Sequence, residues 1–396
     1  MKAQRILIAG AGPVGLVAAA ALAEDGIRVT IVEAERELPD DLRASTFHPP
    51  TLDMLERFGV VPALLAVGRV CPTWQVRDRA AGPVATFDLG RLRDETRHPY
   101  RLQCEQWRLT RLLRDRLAAR GEVEFVYDAR ATGVRQDADG VVLTVARADG
   151  STEELAGAFL IGADGARSAV RQAAGIGFAG MAAPEVYLAL STPFAFQEAI
   201  PGLADIAHVS DPEDWFVLLR TRLLWQLLLP PDPAEPGERM MSESRLQARL
   251  QEVLPTGTAY ELRHRTAYRV HERVAERYVA GRVLLAGDAA HVSHPLGGMG
   301  MNGGLHDAIN LAARLAAVCR GEPVATLGRY ERQRRQAALG LVQDGVLRRR
   351  RNRRDPAARA AYHAGLRATE QDPARHRAHL LQASMIRSLH ELEAVA

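Results

Sequence analysis

The sequence predicts an α/β protein: a Rossmann-like nucleotide-binding domain, interrupted by an inserted β-sheet domain and followed by C-terminal helices. Three observations predict it. The chain opens on a strand, a glycine loop, a helix and a second strand. Far downstream, another apolar strand breaks on Gly287-Asp288 and runs through a glycine-rich loop into a helix. Between the two, residues 71–99 and 181–268 divide into short β-like pieces separated by turns.

Arg5 to Ala9 reads as a buried strand, and Gly10-Ala-Gly12-Pro13-Val14-Gly15 follows at once. A helix rich in alanine runs from Val14 to about Asp25, Gly26 ends it, and the strand Arg28 to Val32 leads into Glu33, 18 positions beyond Gly15. Gly10 permits the tight turn, Gly12 lets backbone approach a pyrophosphate, and Gly15 lets helix and strand pack closely. Glu33 is placed to accept from a ribose hydroxyl. In this context the glycine pattern is a dinucleotide site, though it does not choose between FAD and NAD.

Arg43 lies in a loop ahead of a short helix, Pro50 to Phe58, with His48 between them. Gln106 opens a helix whose Leu109, Leu112, Leu113 and Leu117 share one face. Strands are expected at Val123 to Tyr127, Val141 to Ala146 and Glu153 to Leu155, with a turn at Asp137 to Gly140. The run Phe159-Leu-Ile-Gly162-Ala-Asp164-Gly165 carries a buried strand into a helix, where Asp164 also suits an N-cap.

In the inserted region, Val186 to Leu190, Trp215 to Leu219 and Leu223 to Leu229 suggest strands, and Ser242 to Val253 a helix. Its polar and aromatic candidates for touching a substrate are Tyr187, His208, Trp215, Arg222 and Trp225, each of which also suits a structural place. After the strand Val283 to Ala286 comes Gly287-Asp288, and a helix begins near Asn302 with Leu305, Ile309, Ala312, Leu315 and Cys319 on one face. A helix N-terminus presents free N–H donors and partial positive charge, so this loop can stabilise negative charge on a flat ligand. The arginine run Leu347 to Arg354 reads as a solvated helix face or a partner for neighbouring acids.

Composition narrows the chemistry. With 396 residues and 47% hydrophobic content the chain supports two domains. No stretch approaches the ~20 apolar residues of a membrane span, and the first apolar stretch lacks a signal-peptide cleavage arrangement, so a cytoplasmic protein is expected. Cys71, Cys104 and Cys319 are widely spaced, which gives neither a disulfide framework nor a metal pair. A net charge of +3 with interspersed signs carries no nucleic-acid signature. Lys2 is the only lysine, so a pyridoxal Schiff base or a phosphate-loop lysine is excluded.

Three motifs together resemble the single-component (class A) flavoprotein monooxygenases, the para-hydroxybenzoate hydroxylase-like family. The first is the glycine loop of residues 10–15. The second is G-A-D-G-x-x-S-x-V-R, filled from Gly162 to Arg171. The third is Gly287-Asp288, His291, Pro295, Gly298, Gly300, Asn302, with every family position occupied. The resemblance implies that Gly10, Gly12, Pro13, Val14, Gly15, Glu33, Ala34, Arg43, Gln106, Asp164, Gly287, Asp288, Pro295, Gly298, Gly300, Met301 and Asn302 contact FAD. It further implies that Pro295 and Arg43 serve catalysis beside the flavin, with an ordinary surface arginine as the alternative for Arg43; His48, in its loop, is a further substrate candidate, with an ordinary packed or exposed histidine as its alternative.

The implied domains are 1–70, 100–180 and 269–345 for FAD, 71–99 and 181–268 for substrate, and 346–396 as a C-terminal helical segment. The chain also ends too soon for the thioredoxin-like domain of many relatives. The implied reaction uses NADPH or NADH and O2 to hydroxylate a small aromatic molecule, phenolic or heteroaromatic, through a flavin C4a-hydroperoxide. No residue presents itself as the base. The choice of NADH or NADPH, and oligomeric state, a homodimer included, stay open. Two alternatives remain: a reductase or dehydrogenase of the same superfamily, and a non-catalytic FAD-binding protein. A flavin halogenase does not, because it requires an internal lysine and a Trp-x-Trp-x-Ile-Pro motif that are absent here.

Overall fold

Apolar β-branched strands flanked by glycine turns build the central sheet. The computed structural model describes residues 5–40, 44–210, 215–230, 237–295, 297–351 and 355–395. Its six-stranded sheet has the order Val279–Ala280, Val283–Leu285, Phe159–Gly162, Arg5–Ala9, Arg28–Val32, Val123–Val126. All neighbours run parallel except the first pair. The central strands are buried along their length, as a sheet covered on both faces requires. The helices Pro13–Glu24 and Met299–Cys319 pack together against one face.

Register decides what this sheet can do. Ala9 lies opposite both Val32 and Gly162, and Gly162 opposite Leu285. Adjacent parallel strands therefore end at one level, and the loops leaving them emerge side by side. Backbone bonds continue the alignment past the strand ends: Gly10 N–H donates to Val32 O at 2.8 Å, Ala163 N–H to Ala9 O at 2.8 Å, and Ala286 N–H to Gly162 O at 3.0 Å. In open α/β sheets this C-terminal edge is where ligands bind.

A second, eight-stranded sheet has the order His291–Val292, His264–Ala275, Phe178–Thr192, Trp225–Leu229, Trp215–Arg220, Ile206–Ser210, Thr73–Asp78, Gly82–Asp88. Helix Glu243–Val253 covers one of its faces through Leu246 and Leu250. The opposite face is divided between the nucleotide-binding body and the C-terminal helices Pro356–Gln371 and Pro373–Ala383, which pack against Trp74, Phe87 and Ile206.

The structure differs from the sequence reading in several short strands and in three longer ones. Ala129–Gln136, Ile206–Ser210 and His264–Ala275 were not anticipated. The first is half-exposed and small-residue rich, and the last is studded with Arg and His, so none shows a clean apolar alternation. The long strands Phe178–Thr192 and His264–Ala275 also run through the positions where the inserted domain was expected to begin and end.

Candidate active site

The four loops at the sheet edge enclose a cavity of about 810 Å3, roofed by the eight-stranded sheet. That size is in the range of small-molecule and cofactor sites, ~300–1,000 Å3. Each glycine of the first loop has a separate task. Gly10 adopts φ 102°, and a Cβ there would stand 2.4 Å from Ala163 O. Gly15 admits the close crossing of helix and loop, since a Cβ would lie 2.0 Å from Gly10 O. Gly12 instead faces open space with nothing within 4 Å of a Cβ position, and it lines the cavity. The sequence places the bare backbone where a ligand can lie against it.

Pro13 and Val14 line the same wall, and Glu33 and Ala34 stand at the end of the next strand. Glu33 Oε2 accepts from Ala11 N–H at 2.7 Å and Oε1 from Glu35 N–H at 3.0 Å, so its carboxylate is already oriented. Asp164 Oδ2 caps the following helix by accepting from Val170 N–H at 3.1 Å. Its Oδ1 is buried with no hydrogen-bond partner among the described residues, and so is Ser293 Oγ, another cavity residue. Buried polar atoms are nearly always satisfied, so these two are positions in the cavity wall that a bound group or a water can complete.

Asp288 follows Gly287 into a 3₁₀ turn and is exposed to the cavity. Across from it, the helix Met299–Cys319 begins at Gly298, in the left-handed region at φ 67° with no side-chain cap. Gly298, Gly300 and Met301 line the cavity, so the uncapped first turn borders it, while the Gly298 N–H itself donates to Pro295 O at 3.1 Å. Pro295 lines the wall beside it, and Gln106, first residue of its helix, closes another side.

Several residues expected at FAD lie behind the cavity lining. Asn302 is fully buried, and its amide is used on the backbone: Oδ1 accepts from His48 N–H at 2.9 Å, and Nδ2 donates to Thr46 O at 2.8 Å and Gly298 O at 2.6 Å. His48 is also fully buried, with Nε2 2.8 Å from Gly297 O. Neither side chain lines the cavity; both hold the glycine loop in place. Gly15 and Gly287 serve packing, the latter against Val14. Arg43 lies outside the described residues.

The substrate candidates separate in the same way. Trp225 sits in the core beneath helix Glu243–Val253, its Nε1 donating to Gln197 Oε1 at 2.7 Å. The pleat turns it away from the face that carries Gln226. Arg222 is exposed on a turn and donates to Ala66 O. Tyr187 is buried, its hydroxyl 3.1 Å from His294 Nε2, and does not line the cavity. His208 and Trp215 line a second chamber of about 120 Å3, and His208, Arg101 and Gly297 line both chambers.

The sequence reading missed a buried polar cluster under the sheet roof. Ser45 Oγ donates to Gln226 Oε1 at 2.7 Å, and Gln103 Oε1 accepts from Thr46 Oγ1 at 3.1 Å. Gln226 was legible as a lone polar residue in an apolar strand; Ser45 and Gln103 carried no such signal. Behind the helix N-terminus, Asp307 accepts from His291 Nε2 and Arg334 Nε, both at 2.6 Å, and from Gly287 N–H at 3.0 Å. Burial pushes the Asp307 carboxyl up, but the charges and hydrogen bonds of His291 and Arg334 outweigh it and hold it below the ordinary value. His291 is thus a strut between loop and helix, away from the cavity.

Among the described residues no group of His, Cys, Asp or Glu is arranged to hold a metal ion. The donors fit a flavin adenine dinucleotide: a bare glycine wall for pyrophosphate, carboxylates for hydroxyls and an uncapped helix N-terminus for an electron-rich ring.

Comparison with known proteins agrees with this geometry. A family model described as "FAD binding domain" matches residues 3–344. Para-nitrophenol 4-monooxygenase of Pseudomonas sp. (strain WBC-3) is 34% identical over 340 residues, which cover 84% of this chain and 83% of that one. A 6-hydroxy-3-succinoylpyridine 3-monooxygenase of Pseudomonas putida is 34% identical over 343 residues, 86% of each. The crystal structure of p-nitrophenol 4-monooxygenase from Pseudomonas putida DLL-E4 superposes with a TM-score of 0.89 at 30% identity, covering 96% of this chain and 98% of that one.

Proposed function

The chain belongs to the FAD-binding family of class A flavoprotein monooxygenases, and from that premise we infer how its own residues serve the hydroxylation of an aromatic molecule. It is an FAD-dependent enzyme that uses NAD(P)H and O2. Bound in the large cavity, FAD supplies the hydride acceptance and oxygen activation that no amino-acid side chain provides. The observation that carries the assignment of residues is the shared level at which the parallel strands end. It puts Gly12, Glu33, Asp164 and Asp288 around one space.

Each residue then has a definite duty. Gly12 and Asp164 would hold the pyrophosphate, Glu33 the adenosine ribose, and Asp288 and Gln106 the ribityl chain. The N–H groups of Gly300 and Met301 would stabilise negative charge on the ring edge, as an oxyanion hole does. Pro295 forms a rigid wall without an N–H donor. Ala189, Val217 and Leu228 of the sheet roof keep water out. We divide the chain into a nucleotide-binding body on the six-stranded sheet and a substrate body on the eight-stranded one. We place it in the cytoplasm: no helix among the described residues is long and apolar enough to cross a membrane, and the cysteines are free.

The test is direct. The purified protein is expected to carry FAD, to oxidise NAD(P)H faster with a phenolic substrate, and to place one atom of isotope-labelled dioxygen on the product. NAD(P)H oxidation with no labelled product from any phenol or hydroxypyridine would leave a reductase instead. Asp288→Ala should lower FAD affinity by roughly tenfold or more, the worth of a charge-assisted hydrogen bond. Wild-type flavin retention in that variant would remove Asp288 from the ribityl contact.

A further inference from the structure

We propose that the smaller chamber, between the eight-stranded sheet and the C-terminal helices, is the substrate-ring pocket, and that it selects a single aromatic ring whose anionic oxygen is held by Arg101. This rests on the reading of the chain as an aromatic hydroxylase and adds which part of the fold chooses the substrate.

Size is the first argument. The chamber holds about 120 Å3. A dry protein cavity of ~150 Å3 accepts benzene, so one ring fills this space and a fused second ring exceeds it. Its walls are made for a ring: Trp74 and Trp215 come from the sheet, and Tyr362, Leu366 and Ala383 from the C-terminal helices. The floor cannot retreat cheaply, because those helices are tied to the sheet. Glu370 Oε1 accepts from Thr86 N–H at 2.8 Å, His363 Nε2 lies 2.9 Å from Ser210 Oγ, and the His379 ring packs on both Phe87 at 4.4 Å and Trp74 at 5.6 Å.

Position is the second. Gly297, Arg101 and His208 line this chamber and the large cavity alike, so the two meet there, two residues from Pro295. A ring in the smaller chamber therefore abuts the end of the large cavity where the helix N-terminus and Pro295 stand.

Polarity is the third. Arg101 is only 3% exposed. Its NH2 donates to Ala383 O at 2.9 Å, and its guanidinium carbon lies 5.3 Å from the Trp74 ring centre, so the group is fixed by a helix end and an aromatic face. A guanidinium held this way is a preorganised donor for a delocalised oxygen anion. Phenolates and ring carboxylates both offer one.

Binding to the FAD-loaded enzyme, measured by calorimetry and by perturbation of the flavin spectrum, tests the proposal. The probes are 4-nitrophenolate, 4-hydroxybenzoate, neutral phenol, and the two-ring 6-hydroxy-2-naphthoate. One of the two single-ring anions is expected to bind at least ~tenfold tighter than phenol and than the naphthoate, and which one identifies the oxygen that Arg101 holds. Arg101→Met should weaken that ligand by a similar factor at unchanged flavin content, with Arg101→Lys partly restoring it. Tyr362→Ala combined with Leu366→Ala should admit the naphthoate, and this variant decides the matter if Arg101→Met does not fold. Naphthoate binding to the unaltered enzyme as tightly as the single rings would overturn the proposal, as would unchanged affinity in folded Arg101→Met. A protein that takes up no FAD fails the reading beneath it instead.

Discussion

Gly12 and Gly15 stand three residues apart in one loop, and their surroundings give them opposite consequences. A Cβ at Gly15 meets backbone at 2.0 Å, whereas one at Gly12 meets nothing within 4 Å. Gly15→Ala should therefore lower the melting temperature of the FAD-free protein by an overpacking cost of about 1–3 kcal/mol. Gly12→Ala should leave that melting temperature unchanged and reduce flavin content. Equal thermal effects in the two variants would contradict this separation of roles.

His306 makes a pH prediction at the same scale. It is fully buried beside Thr51, its Nε2 2.9 Å from Thr51 Oγ1, and burial together with the Arg334 charge lowers its pKa from 6.5 to about 3. The unfolded chain then binds a proton here that the folded chain refuses, so stability is complete above about 6.5 and declines as pH falls towards 3. His306→Gln, which keeps a polar neighbour for Thr51 and cannot titrate, should flatten the melting temperature against pH between about pH 7 and about pH 4.5. An unaltered slope would show that other groups carry the acid sensitivity.

Among the elements, the helix Met299–Cys319 connects most of the site. Its first turn is left uncapped by side chains, while Asn302 and His48 hold the preceding glycine loop and Asp307 pins the helix to Arg334 and His291. The donors are fixed before any ligand arrives, so no ordering cost falls on binding. Gly298 is the sensitive position. An alanine there would sit at φ 67°, costing about 1–2 kcal/mol, with its Cβ 2.9 Å from Thr46 Cβ. Gly298→Ala should lower both the melting temperature and the FAD affinity, in contrast to Gly12→Ala. A stable variant with normal flavin content would show that the helix start tolerates a different entry.

Hydrophobic periodicity marks some strands of this chain and not others. Strands buried on both faces, such as Arg5–Ala9 and Phe159–Gly162, are continuous apolar runs and were legible. Ile206–Ser210 was not, because His208 and Ser210 face the second chamber instead of an apolar core, and Ala129–Gln136 mixes small residues with Arg, Thr and Gln.

At the scale of the whole molecule, the large cavity has walls from both sheets, and a ligand there bridges the two bodies. FAD should stabilise the folded chain as a unit, by about 2.7 kcal/mol at a hundredfold excess over its Kd. A single melting transition that rises with added FAD is expected. Two transitions, of which FAD moves only one, would mean that the bodies unfold independently.

The nucleotide-binding half was legible from the residues alone, because its requirements are local. A tight turn, a bare backbone and a strand-end carboxylate each need a particular residue at a particular spacing, so Gly10, Gly12, Glu33, Asp164 and Asp288 could be named before any fold was known. Which side chains face the two chambers was settled by long-range packing. That choice depends on strand pairing and on the docking of helices more than 100 residues away, as with Arg101 against Ala383, 282 positions apart. A strand reveals its two faces through alternation but not what covers each of them. Trp225 and His208 therefore looked alike as candidates until one was found in the core and the other at the junction of the two chambers.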